Sequence, residues 1–119
     1  MGEITTGSIR GYHAHIYFEP GQVDQAGQLR QAMGRVFTCP LGRLHEGPIG
    51  PHTKGMFQVS IDLMHFARVV PWLMLNRNEL SVLIHPETGD DLSDHTRHAL
   101  WLGEPQLLDA SAFEDTGGN

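Results

Sequence analysis

Tyr12-His13-Ala14-His15-Ile16-Tyr17-Phe18-Glu19 is the stretch from which the fold can be read. Tyr12, Ala14, Ile16 and Phe18 fall on one side and His13, His15 and Tyr17 on the other, the period of two that marks a half-buried strand. Pro20-Gly21 ends it, and Gln22 to Phe37 turns helical, with Ala26, Leu29, Met33 and Val36 on one stripe. Leu41 to Glu46 reads as a short second strand, diluted by Gly42 and Arg43. The loop Gly47-Pro48-Ile49-Gly50-Pro51-His52 follows, too rich in Gly and Pro for regular structure. Gly55 to Asp62 alternates again, Phe57, Val59 and Ile61 against Met56, Gln58 and Ser60. Leu63, Phe66, Val70 and Leu73 mark a second helix, which Pro71 should kink or restart. Asn76-Arg77-Asn78 ends it, and Leu80 to His85 is the fourth strand. Beyond the turn from Pro86 to Asp91 a short helix is expected from about Ser93 to Leu102, with Ser93 as N-cap and Gly103 as the C′ residue.

The order β-α-β-β-α-β predicts an α+β, ferredoxin-like fold, a four-stranded antiparallel sheet with two helices on one face, followed by a short C-terminal helix. At 119 residues the chain is expected to form a single domain, 1–119, with a core of about 12–103. The ends, 1–10 and the Gly-rich 110–119, are expected to be flexible.

Composition narrows the function. The hydrophobic fraction of 39% and charged fraction of 18% describe an ordinary globule. The net charge is −6, and a single Lys (Lys54) with scattered Arg makes no basic stripe, which argues against nucleic acid. No signal peptide or membrane span is expected, and Cys39 is alone, so a reducing compartment, the cytoplasm, is the expected location.

The eight histidines stand out. If the helices cover the apolar side of the sheet, alternation puts His13, His15, Gln58, Ser60 and His85 on the opposite face. His45 should join them, and His52 can fold over the end of the same sheet on its Gly/Pro loop. Such a face needs solvent, hydrogen-bond partners or a metal, and a metal satisfies several imidazoles at once. Imidazoles suit zinc, iron, copper or nickel, and a site with three protein ligands keeps positions open for chemistry. The bland alternatives are a solvated His-x-His pair, capping roles for His65 and His98, and a His95 that binds the turn carboxylates.

Tyr12-His13-Ala14-His15-Ile16-Tyr17-Phe18, the loop 47–52, the run His85-Pro86-Glu87-Thr88-Gly89-Asp90-Asp91-Leu92-Ser93-Asp94-His95-Thr96 and the later Ala99-Leu100-Trp101-Leu102-Gly103 together resemble the DOPA 4,5-dioxygenase family. The likeness runs from Tyr12 to about Gly103. It implies opening of a catechol ring, DOPA or a relative, between carbons 4 and 5 by O₂. It does not supply the ligand set.

Extradiol cleavage calls for Fe(II) with open positions, although zinc is able to occupy such a site as purified. From the sheet geometry, His15, His52 and His85 are the expected ligands and His13 the expected acid/base. Tyr17, Arg43, His45 and His95 are candidate substrate contacts. The turn acids are expected to leave the sheet, with Glu87 the best carboxylate fallback. A homodimer is expected, because a sheet face carrying Met56, Leu83 and imidazoles should not stay wet. Two rival readings use the same scaffold: a metal-free oxygenase or isomerase, and a non-enzymatic metal- or ligand-binding dimer.

Overall fold

The first predicted strand is the centre on which the sheet is built. In the computed structural model, which describes residues 2–113, this strand, β1 (Tyr12–Phe18), pairs antiparallel with β2 (Gly55–Ile61) on one side and β3 (Val82–Pro86) on the other. A short β4 (Leu100–Leu102) follows β3, giving the order β2-β1-β3-β4. Two helices, α1 (Val23–Val36) and α2 (Phe66–Asn76), cover one face. Their apolar stripes, Ala26, Leu29 and Met33 with Val69, Val70 and Leu73, meet Ala14, Ile16, Phe18, Phe57, Val59, Ile61, Val82 and Ile84. Burial of each large side chain there contributes about 1.5–3 kcal/mol. The α+β architecture and the face assignment agree with the alternation pattern.

Two local expectations are corrected. The segment 41–46 is not a regular strand but two isolated bridges on the outer edge of β2, Leu41 with Val59 and His45 with Met56. Four steps along this segment oppose three along β2, so it holds one extra residue. That is a bulge, and Leu41 and Leu44 both pack toward the helices while His45 crosses to the face of Met56.

The predicted helix 93–102 is a short α3 (Asp91–His95) and then β4. Asp90, not Ser93, is the cap: its side chain accepts from Ser93 N at 3.2 Å, which moves the helix start upstream. Leu83 then pairs across to Trp101, whose ring stacks on Tyr17 at 5.8 Å. Pro71, finally, lies inside α2 without ending it, because only the bond to the Ala67 carbonyl is lost.

The face opposite the helices is closed by the chain itself. Tyr17, Met56 and Leu83 are buried beneath Ala99, Trp101 and Leu108. That removes the premise from which a dimer was expected. The ends are also tied in: Arg10 N donates to Glu87 O at 2.9 Å, and Phe113 is buried. The rest of the tail expected to be flexible, 114–119, lies outside the described residues. Among those described, no helix is long and apolar enough to cross a membrane.

Candidate metal centre

β1 and β3 bring the first histidines together. The register sets His13 directly opposite His85, with His15 two residues along on the same face. His15 Nε2 stands 3.1 Å from His85 Nε2, and both rings are buried. His52 arrives from the Gly/Pro loop. There a two-residue turn, Gly50 at φ +55° followed by Pro51, is closed by hydrogen bonds in both directions between Ile49 and His52. Ring centroids of His15 and His52 are 4.1 Å apart. α3 delivers the fifth, His95, 3.9 Å from His85 by ring centroid.

The outer nitrogens of these rings fix their tautomers. His85 Nδ1–H donates to Pro86 O at 2.9 Å, His95 Nδ1–H to Asp91 O at 2.8 Å, and His13 Nδ1–H to Glu87 Oε1 at 3.0 Å. In all three, Nε2 is left with a lone pair, the disposition of an imidazole ready to bind a metal. Tyr17 OH lies 2.6 Å from His52 Nδ1. Burial pushes that phenol's pKa well up, so it keeps its proton and donates it to the ring.

His15 is the exception. Its Nδ1 is buried with no partner among the described residues. Because His85 Nε2 holds a lone pair, His15 must either give it a proton, leaving Nδ1 bare, or face it with a second lone pair. Protein groups alone satisfy His15 in neither case, and such a buried orphan calls for an explanation.

A cation between the two Nε2 atoms would answer the facing lone pairs, with the His15 proton then on Nδ1. Two nitrogens about 2.1 Å from one metal are about 3.0 Å apart at a right angle and about 3.4 Å apart at the tetrahedral angle. The 3.1 Å between the two Nε2 atoms falls within that range. Two three-histidine groups have ligand atoms mutually within 4.8 Å: His13, His15 and His85, and His15, His52 and His95. The histidines are therefore able to hold a metal ion. Burial also keeps the rings neutral, as ligands must be. His85 is depressed to about 3 by desolvation and by neighbouring His95, and His52 to about 4 for the same reasons. His15 is lowered well below the usual imidazole value by desolvation and then by His52 and His85. His13, half-exposed, is lowered by partial burial, against which Asp91 acts to raise it.

A cleft of about 410 Å³ opens over the cluster between His13, His52, His95, Glu87 and Phe113. The expected trio His15, His52 and His85 is thus divided: His15 belongs to both groups, His85 to one and His52 to the other. Tyr17 supports His52 rather than lining the cleft. Arg43 is exposed on the outer edge, and His45, on the histidine side of that edge, also stays outside the cleft. Glu87 was expected to leave the sheet after Pro86. Instead it stays in the ladder, donating to Gly11 O at 2.8 Å, and its carboxylate turns back on His13. His95, named among the candidate substrate contacts, does line the cleft, and the Asp90-x-x-Ser93 cap is the sequence signal that places its helix.

The sequence profile of the Dopa 4,5-dioxygenase family matches residues 12–112. An "Uncharacterized 21.2 kDa protein" of Botryotinia fuckeliana is 37% identical over 116 residues, covering 87% of this chain and 63% of its own length. The DOPA 4,5-dioxygenase of Amanita muscaria is 33% identical over 109 residues, covering 84% of this chain and 48% of its own. The chain thus spans between about half and two-thirds of the length of these curated relatives. A Nostoc punctiforme protein solved in the crystal, described as a "putative dioxygenase", superposes with a TM-score of 0.92 at 46% identity, over 95% of this chain and 98% of that one.

Proposed function

The chain belongs to the Dopa 4,5-dioxygenase family, and from that premise we propose that it is a metal-dependent dioxygenase that opens the ring of DOPA or a related catechol with O₂. The observation that carries the proposal is the 3.1 Å pair of His15 and His85 Nε2 atoms inside a cluster of five imidazoles. A purely structural role for these rings would not set two neutral Nε2 atoms face to face at hydrogen-bond distance with no proton that satisfies both rings.

We assign the metal to His13, His15 and His85, the group in which two members are braced from behind by an oxygen acceptor. Relative to the expectation from the strand pattern, His13 replaces His52 as a ligand, and the acid/base role passes to His95. Ferrous iron held by these three residues would supply the redox chemistry that O₂ needs to react with a catechol. Zinc competes well for the same nitrogens and is the expected contaminant.

The remaining residues handle the substrate and its protons. His95 keeps its Nδ1–H on Asp91 O, so its Nε2 lone pair is free to take a catechol proton. His52, receiving the Tyr17 proton at Nδ1, presents Nε2–H to the cleft as a donor toward substrate oxygen. Phe113 closes over His95 at 4.8 Å by ring centroid and restricts water at that edge. Lone Cys39 fits the cytoplasm as the compartment.

The test is oxygen uptake by protein purified without a histidine tag and loaded anaerobically with Fe(II), over a broad set of catechols. A yellow ring-opened product from L-DOPA or a related catechol, and no reaction with phenol, is the expected result. No uptake with any catechol ends the proposal.

A further inference from the structure

A second cavity, of about 520 Å³, opens at the same end of the sheet, and His13 and Glu87 line both it and the cleft over the histidines. Asp62 and His65 stand on its far side and Arg10 on its rim. The charges inside are unevenly committed. Asp62 Oδ1 accepts from His65 N at 3.0 Å and from His65 Nδ1 at 2.5 Å, and Glu87 accepts from His13. Both acids in this cavity are thus engaged by imidazoles. Arg10 is exposed: among the described residues its guanidinium takes part in no ion pair and no side-chain hydrogen bond, although its charge acts on the nearby Glu87 carboxylate.

The Arg10 backbone is pinned to Glu87 O, and the guanidinium passes over Gly89, where φ is +99° and an added Cβ would stand 2.6 Å from Arg10 Nη2. In a chain of net charge −6, Arg10 is the one Arg or Lys among the residues that line this cavity.

We propose that this cavity receives the substituent of the ring substrate and that Arg10 recognises a carboxylate on it. The proposal rests on the ring-cleaving function above. The ring would lie over the histidines and a short side chain would pass the shared His13–Glu87 wall. A guanidinium fork matches a carboxylate through two parallel hydrogen bonds, which a lysine ammonium cannot reproduce. Arg10 thereby selects acid-bearing catechols over neutral or cationic ones of the same ring pattern.

The experiment compares 3,4-dihydroxyphenylpropionate with 4-methylcatechol in wild type, Arg10→Gln and Arg10→Lys. It reads kcat/KM of the iron-loaded protein and, separately, affinity of the zinc-loaded protein by calorimetry. Wild type should prefer the acid. Arg10→Gln should lose roughly ten-fold or more for the acid while changing 4-methylcatechol by less than about two-fold, and Arg10→Lys should recover only part. Equal losses for both compounds would reduce Arg10 to a support for Glu87 and overturn the proposal, as would an unchanged affinity for the acid. Arg10-dependent binding of the acid without turnover of any catechol would sink the ring-cleaving reading and leave the subsite standing. Turnover without Arg10 dependence would do the reverse.

Discussion

At His15 two observations meet: a Nε2 atom 3.1 Å from that of His85, and a Nδ1 atom buried without a partner. Replacing either His15 or His85 with Ala should therefore abolish stoichiometric metal binding, measured by elemental analysis after loading. His13→Ala should weaken it strongly. Glu87→Gln, which alters the brace behind His13 and removes a charge 3.6 Å from His85 Nδ1, should keep the metal with about ten-fold lower affinity. His52→Ala should keep it as well, and the opposite pattern, metal lost with His52 and kept without His13, would restore the trio expected from the strands. A pH dependence follows from the same rings in the metal-free protein. Burial holds His85 at about 3 and His52 at about 4, whereas in the unfolded chain they titrate near 6.5. Between those values the unfolded chain binds more protons, so this stability is complete above about pH 6.5 and is lost as pH falls toward 4. Thermal melts of metal-free protein should decline from pH 7.5 to pH 5, and a flat Tm over that range would contradict the burial of neutral imidazoles. The face occupied by His13, His15 and His85 was legible because strand alternation is a local rule. Which ring binds which atom was not, since that depends on acceptors such as Pro86 O and Asp91 O, supplied by backbone whose path the pattern does not encode.

At the scale of elements, the parts that were misread are those decided by distant pairing. The bulge at 41–45 is set by the β2 register, and β4 exists because Leu83 needs a neighbour across from it, so neither is visible in its own residues. Gly103 illustrates the point. A glycine at this place suits the end of a helix, and it does adopt a positive φ of 79°, but it ends a strand. An Ala Cβ there would stand 2.5 Å from Arg77 Nη1, whose own bond to Leu80 O at 3.0 Å holds the turn before β3. Gly103→Ala should cost about 1–2 kcal/mol from the left-handed backbone alone, measured by urea unfolding. Gly47→Ala, with nothing within 4 Å of the new Cβ and no positive φ, should stay within about 0.5 kcal/mol. Equal effects at the two sites would mean that the β4 corner is not built as described.

For the whole molecule, the segment after β4 does what the expected partner subunit was invoked to do. Leu108 bridges to His52, Asp109 N donates to Pro51 O at 2.7 Å, and Thr53 Oγ1 donates to Leu107 O at 2.7 Å, so this strap pins the loop that carries His52. It also covers Met56 and Leu83, which are 6% and 0% exposed in the single chain. Removing residues 105–119 should have two separable consequences. The uncovered apolar face should drive self-association, seen by light scattering as a concentration-dependent rise in mass relative to the full chain. The freed loop should withdraw His52 from the cleft while leaving the β1 and β3 ligands in register, so metal should still bind, though less tightly, and oxygen uptake with catechols should fall much further than metal content. If the truncated chain bound no metal, the strap would be needed for the sheet itself. If it matched the full chain in mass, metal content and turnover, neither the cover nor the pinned loop would matter to the site.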